Sequence, residues 1–120
     1  MKLPQFFCLL VLLAFVSCRS SQKNIIQVDS MKVYMFDMMR ADELYINILS
    51  KDTTANKRKA NIRLYKEVLA LHKISKGRFD SSYRYYEAHP VLFKTLIDSL
   101  DAYAGREKSK SYLKQYGQSK

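Results

Sequence analysis

The segment of residues 31–50, MKVYMFDMMRADELYINILS, decides the fold. Its apolar side chains recur every three or four residues, which places them on one face of an α-helix and not on alternate faces of a β-strand. This apolar face consists of Met31, Tyr34, Met35, Met38, Tyr45, Ile46 and Leu49. Because Asp29 or Ser30 can cap the N-terminus, we predict a first helix that begins there and ends near Ser50.

The same periodicity predicts a second and a third helix. The second runs from about residue 57 to about residue 73, after a polar loop. Its apolar face consists of Ile62, Tyr65, Val68, Leu69 and His72. Ser75 is placed to cap a third helix over residues 76–87. The inward side chains of this helix are Phe79, Ser82, Tyr83 and Tyr86.

A fourth helix is predicted to begin at Pro90, because the missing N–H of proline costs nothing in the first turn of a helix. We expect Gly105 to end this helix as a left-handed cap. Residues 106–120 are polar and basic and have no periodic apolar face, so they are expected to form a disordered tail.

These elements predict an all-α protein: a small bundle of about four helices after a cleaved signal peptide, with a disordered basic C-terminal tail. The expected organisation is a leader (1–17), a tether (18–27), a helical domain (28–105) and the tail (106–120). The length of the chain allows one domain only.

The N-terminus carries an export signal. After the positive charge of Lys2, residues 6–16 (FFCLLVLLAFV) are uncharged and apolar, a run too short for the ~18 residues of a membrane span. The residues 15–18, Phe-Val-Ser-Cys, resemble a bacterial lipobox, with Phe where leucine is commonest. A secretory leader with a chance cysteine is the alternative, but it requires a small residue three positions before the cut, where Phe15 stands.

The lipobox resemblance implies that cleavage precedes Cys18 and that this residue carries acyl chains, palmitate among them. Two or three such chains hold a protein stably on a membrane. Arg19 is not the aspartate that retains lipoproteins in the inner membrane of enteric bacteria, and residues 20–23 lack the acidic run of surface-exposed lipoproteins. By these resemblances the body faces the periplasm from the outer membrane.

The formal net charge of +10 is compatible with nucleic acid, anionic lipid or an acidic partner. The export signal argues against nucleic acid. Much of the positive charge lies in residues 57–59 and in the tail, where a solvated surface accounts for it. The expected partners are therefore the membrane, through Cys18, and an envelope protein of unknown identity.

Asp42 and His72 are the residues that most resemble catalytic machinery, because both lie on apolar helical faces and could form a carboxylate–imidazole pair. No nucleophile completes the set, and Ser82 is a candidate only because it faces inward. We therefore assign no catalytic residue. The polar residues expected to be buried for structural reasons are Asp42, His72, Ser82, Tyr83 and Tyr86.

Metal and cofactor sites are not expected either. His72 and His89 are the two histidines, and without a thiol in the mature chain they make a poor ligand set. The sequence has no glycine-rich phosphate-binding loop.

The chain resembles the Bacteroidetes lipoproteins that carry domain of unknown function 4296, over about residues 25–104. The segments that carry the resemblance are residues 31–37, Ala41-Asp42, residues 72–75, residues 79–86, His89-Pro90 and residues 96–100. The chain departs from the family pattern at Gln27, where proline is usual, at Asp42, where glutamate is usual, and at Lys73, where glycine is common. The resemblance implies a helical, lipid-anchored envelope protein and no established activity.

The leading hypothesis is a non-enzymatic interaction or structural module on the membrane. The alternative is a chaperone-like module that binds extended client segments in a methionine- and tyrosine-lined groove, since methionine-rich surfaces adapt to varied partners. A closed core would bury the methionines of the first helix, whereas a client binder would leave several open. An enzyme, the third possibility, would require a cleft around Asp42.

Overall fold

The computed structural model describes residues 24–56 and 59–118. Its α-helices are α1 (Val28–Lys51), α2 (Ala60–Leu71), α3 (Lys76–Glu87) and α4 (Pro90–Gly117), with a 3₁₀ turn (Thr53–Ala55) after α1. These residues contain no β-strand, so the predicted all-α fold is confirmed. The leader and the lipobox cysteine lie outside the described residues. None of the described helices is long and apolar enough to cross a membrane.

The helices α2 and α3 run one after the other along α1, in the opposite direction. Three contacts, taken from the C-terminal towards the N-terminal end of α1, show this direction. Tyr65 of α2 bonds to Asp42 of α1, His72 bonds to Asp37, and α3 contacts the segment that precedes α1. Together α2 and α3 therefore behave as one antiparallel helix with a break at residues 72–75.

Helix α4 runs parallel to α1. Met31 and Leu96 share the core, and further along both helices the ring of Phe36 packs edge-on against Tyr103 at 5.3 Å. We call the end of the molecule that holds the N-terminal half of α1 the lower half, and the end that holds its C-terminal half the upper half. The lower half therefore contains α1, α3 and α4. In the upper half, α2 packs on α1 to form a two-helix hairpin with an open groove on each side.

The main core lies in the lower half. Its buried members are Ile26, Met31, Tyr86 and Leu96. Partly buried apolar side chains pack around it, namely Ile25, Val28, Tyr34, Met35, Ile74, Phe79, Tyr83 and Phe93. All elements but α2 contribute to this cluster, which makes the lower half the stable base from which the α1–α2 hairpin projects.

The turn between α2 and α3 ends α2 with a Schellman motif. The Ile74 N–H donates to the Leu69 carbonyl at 3.0 Å, and the Lys73 N–H donates to the Ala70 carbonyl at 3.0 Å. Lys73 takes the left-handed conformation that this motif requires, with φ of 53°. The motif turns Ile74 into the core, and Ser75 then caps α3 by accepting from the Arg78 N–H at 3.2 Å.

Three predicted helix ends were wrong. Helix α1 begins at Val28, one residue before Asp29, which pairs with Lys32 instead of capping. Helix α2 begins at Ala60 because Lys59 has φ of 53° and cannot continue a helix upstream. It ends at Leu71, two residues before the predicted end.

The largest correction concerns the C-terminal tail. Helix α4 continues through Gly105 to Gly117, so the predicted stop at Gly105 and the disordered tail over the described part of residues 106–120 are wrong. Gly105 has no positive φ, and the residues after it are mostly good helix formers. A Glu107–Lys110 ion pair of 2.7 Å along the helix adds support.

Candidate functional site

Side chains spaced four residues apart on α3 hold the segment that precedes α1. The Ser82 Oγ accepts a hydrogen bond from the Ile26 N–H at 3.0 Å, and the Tyr86 hydroxyl donates to the Ile26 carbonyl at 2.7 Å. One turn earlier on the helix, the Arg78 Nε donates to the Asn24 carbonyl at 3.2 Å. We call Arg78, Ser82 and Tyr86 the α3 ladder. It fixes the point at which the tether meets the helical body.

Two members of the α3 ladder are buried, Ser82 completely and Tyr86 almost so. Ser82 also donates to the Arg78 carbonyl at 2.7 Å, so both hydrogen-bonding functions of its hydroxyl are used. Burial raises the pKa of Tyr86, which keeps its hydroxyl protonated and able to donate. No hydrogen bond described for the α3 ladder involves His72. The hydroxyl of Ser82 bonds to backbone groups, as expected of a structural residue.

Tyr83, which was expected to be buried, is only half-buried. Its ring packs edge-on against Phe93 of α4, with 6.2 Å between ring centroids. The tyrosine therefore joins α3 to α4 through aromatic packing.

His72 pairs with Asp37, not with Asp42. The His72 Nε2 lies 2.8 Å from the Asp37 Oδ2, and the ring of Tyr34 covers the imidazole with 4.3 Å between centroids. Asp37 and Asp42 are five residues apart on α1, a rotation of about 140° around the helix, so one imidazole cannot contact both. The hypothetical Asp42–His72 pair does not form.

Asp42 is exposed, and the expectation of a buried carboxylate was wrong. It accepts a hydrogen bond from the Tyr65 hydroxyl, which raises the pKa of Tyr65 to about 12. The helical wheel correctly places Asp42 on the side of α1 that faces α2. It could not show that the upper half lacks a third helix to cover this side.

The described residues contain no group of three or more His, Cys, Asp or Glu side chains that could hold a metal ion. The Asp37–His72 pair, the Asp42–Tyr65 pair and the α3 ladder are separate, and each satisfies its own polar groups. Their arrangement can support packing, and in the Asp42–Tyr65 pair the raised pKa of Tyr65 keeps its hydroxyl protonated.

An apolar concavity lies where α2 meets α3, against α1. It is an open groove of about 630 Å³. Its apolar lining is Met35, Met38, Met39, Ile62, Tyr65, Leu69, Phe79 and Tyr83. Its polar rim is Asp42, Lys66, Lys76 and Asp80. We call this the methionine groove. The groove lies beside the break between α2 and α3.

The exposure of the methionines differs along α1. Met31 is fully buried, Met35 and Met38 are half-buried, and Met39 is 54% exposed. The first helix therefore contributes to a closed core at its lower end and to an open groove at its middle.

Sequence reasoning missed Asp37, Arg78 and Asn24. Asp37 is separated from His72 by 35 residues, and the partner of Arg78 is a backbone carbonyl 54 residues away. The four-residue spacing of Arg78, Ser82 and Tyr86 was a visible signal of a shared face. The sequence offers no sign that this face binds backbone groups.

The family comparison agrees with the resemblance read from the sequence. The model of a domain of unknown function, DUF4296, matches residues 23–110, which include the α3 ladder, the methionine groove and most of α4. No curated protein and no solved structure matches the chain. Since the family model covers most of the 120 residues, the chain belongs to the DUF4296 family.

Proposed function

We propose that this protein is a lipid-anchored, non-enzymatic interaction module of the cell envelope. In this proposal Cys18 carries the acyl chains, the body faces the periplasm from the outer membrane, and the methionine groove binds a short apolar segment of an envelope protein. The binding part of the proposal rests on the open, apolar groove of about 630 Å³, which lies beside polar side chains that already form hydrogen bonds. Concave apolar surfaces of this kind are the usual binding sites of proteins.

The chemistry of the groove supports an apolar segment as the ligand. Methionine side chains are flexible and polarizable, so they adapt to the shape of an inserted side chain. Phe79 and Tyr83 offer rigid aromatic surface on the opposite wall. The rim carries two acids and two lysines, and this balance favours a segment without strong net charge.

The position of the α3 ladder supports a body held close to its anchor. Asn24 follows Cys18 by six positions, and six residue steps span at most about 22 Å. With Asn24 bound to Arg78, a lipid on Cys18 would keep the lower half near the membrane. The methionine groove, further up α1, would then remain accessible from the periplasm.

A chaperone-like module that binds many extended client segments is the second candidate. The exposure of Met39 favours it, because a closed structural module would bury this side chain. The two candidates differ in the number of partners, since an interaction module has one main partner and a chaperone has many.

Co-purification of the lipidated protein from envelope membranes tests both candidates. We expect wild type to retain a partner that the variant Met39→Lys loses, because a charge in the groove opposes burial of an apolar segment. The matched control is Val91→Lys, at an apolar residue of α4 that is 81% exposed and lies outside the groove. One partner lost only with Met39→Lys supports the interaction module, and a mixture of proteins lost together supports the chaperone. Equal recovery in all three samples contradicts binding in the groove.

A further inference from the structure

The other side of the α1–α2 hairpin is an open groove of about 590 Å³ with an acidic lining. Its ionisable residues are Asp37, Arg40, Glu43 and Glu67. Three acids and one base line the groove, and Arg63 beside it pairs with Glu67 at 3.7 Å, so the local charge remains slightly negative on a chain whose formal net charge is +10. Leu44 and Leu71 add exposed apolar surface to the same groove, with exposed fractions of 49% and 72%. We call this the acidic groove.

The C-terminal part of α4 has the complementary character. Residues 108–118 are all exposed, and three of them are large and apolar: Tyr112, Leu113 and Tyr116, with exposed fractions of 52%, 74% and 76%. Between residues 106 and 117 the helix carries four basic side chains and one acidic one. We call this part of α4 the basic extension. A helix with an apolar stripe and basic flanks fits a groove that is apolar and acidic.

The basic extension cannot bind the acidic groove of its own chain. Helix α4 is continuous from Pro90 to Gly117, so the extension is rigidly joined to the part that packs on α1. At 100° per residue, Tyr112 and Tyr116 lie on the side of α4 opposite to the buried Leu96. Their rings therefore point away from the bundle, towards another molecule.

The acidic groove and the basic extension also lie at the same height along the axes of α1 and α4. Tyr103 of α4 contacts Phe36 of α1, and the two helices are parallel. Leu113, ten residues beyond Tyr103, therefore lies at about the level of residue 46 of α1, since both helices rise about 1.5 Å per residue. The acidic groove spans residues 37–47 of α1. Two copies side by side in the same orientation place the basic extension of one at the level of the acidic groove of the other.

We infer that the protein self-associates by placing the basic extension of α4 in the acidic groove of a second copy. Leu113 and the two tyrosines cover Leu44, and the lysines of the extension face Glu43 and Glu67. The inserted helix supplies the upper half with the third helix that the lower half already has. A reciprocal exchange about a two-fold axis uses both grooves and leaves no open end. The inference does not depend on the methionine groove or on the ligand bound there.

Disulfide trapping of the full chain in the cell envelope tests the inference. The test variant is Leu44→Cys with Leu113→Cys, because both positions lie at about the same level, and the matched control is Leu44→Cys with Val91→Cys, since Val91 is an exposed residue of the same helix far from the extension. We expect mild oxidation to yield a covalent dimer from the test pair and not from the control pair or either single variant. Both pairs share Cys18, so any contribution from that residue is equal in the two samples.

Charge reversal gives a second, independent measurement. Lys108→Glu or Glu43→Lys alone should reduce the trapped dimer about tenfold, the size of effect expected for a lost charge pair and a new repulsion. The two reversals combined should restore the dimer, because opposite charges face each other again. Equal trapping in the test and control pairs, trapping of the extension only to a different protein, or no rescue by the double reversal would each overturn the inference.

Discussion

The hydroxyl of Tyr86 donates a hydrogen bond of 2.7 Å to the carbonyl of Ile26, sixty residues earlier in the chain. The same backbone unit donates its N–H to Ser82, so α3 satisfies both polar groups of Ile26 in a buried setting. The contact joins the start of the helical body to its third helix. It makes Ile26, near the end of the predicted tether, a part of the core.

Tyr86→Phe and Ser82→Ala should each destabilise the fold by about 1–3 kcal/mol, because each leaves a buried backbone group of Ile26 without a partner. Urea denaturation measures the free energy of unfolding, and hydrogen exchange should show faster exchange of the Ile26 amide in Ser82→Ala. The control Tyr112→Phe removes an exposed hydroxyl and should change little. If all three variants unfold alike, the α3 ladder does not stabilise the protein.

Lys73→Gly should stabilise the fold by about 1 kcal/mol, because a side chain in the left-handed region is strained and glycine is not. The φ of Lys73 is 53°, in the left-handed region that favours glycine. The control Lys66→Gly replaces the same residue type inside α2, where glycine should cost about 1 kcal/mol. Thermal melting of both variants should therefore show shifts of opposite sign, and a loss of stability in Lys73→Gly would show that its side chain has another role.

The Tyr65–Asp42 pair should weaken the fold at alkaline pH. The pKa of Tyr65 is raised to about 12 from an ordinary value of 10.0, chiefly by its hydrogen bond to Asp42. A raised folded-state pKa means that the stabilisation is complete below pH 10 and is lost as the pH rises towards 12. Asp42→Asn should bring the pKa of Tyr65 back down, which ultraviolet titration of tyrosinate can follow with Tyr65→Phe as the reference. No change of the titration in Asp42→Asn would mean that the carboxylate is not the cause.

Because Asp42 is exposed, Asp42→Ala should cost less than about 1 kcal/mol, the usual range for a solvent-exposed polar pair. This is smaller than the effect that a buried carboxylate would have. Equilibrium unfolding at neutral pH measures the difference. A loss as large as that of Ser82→Ala would indicate that Asp42 is buried in solution by a further contact.

Removal of the residues after Gly105 should leave the stability of the monomer within about 1 kcal/mol of wild type, because exposed side chains contribute little to folding. Residues 108–118 are all exposed. The measurement is thermal unfolding of dilute protein. A loss above about 2 kcal/mol would match a core defect and would show that the basic extension packs on its own body.

The helical periodicity of the sequence was sufficient to predict the all-α fold, the bounds of α3 and the start of α4 at Pro90. Local signals failed at Gly105, since glycine ends a helix only where the chain adopts a positive φ. The helical periodicity also failed to predict that Asp42 is exposed. It identifies the face of a helix on which a residue lies, but not whether a further helix covers that face. Burial of Ser82 and Tyr86 followed from their inward positions, whereas their shared partner Ile26 depends on a tertiary contact.

The proposed anchor has its own test. Cys18→Ala should abolish incorporation of a clickable palmitate analogue and leave the precursor unprocessed, because the lipobox requires the cysteine sulfur. Equal labelling of wild type and variant would remove the anchor from the account. The folding of residues 24–118 would be unaffected by either result.

The most direct test of the proposed binding function is site-specific photo-cross-linking from the methionine groove in living cells. A benzoylphenylalanine at position 39 should cross-link to an envelope protein, because Met39 is 54% exposed at the open edge of the groove. The same probe at position 91 reports random encounters from an apolar site outside the groove that is more exposed, at 81%. We expect one discrete cross-linked product, or a series of products with different client proteins, from position 39 and no product from position 91. Identical patterns from both positions, or no product from position 39, would contradict it.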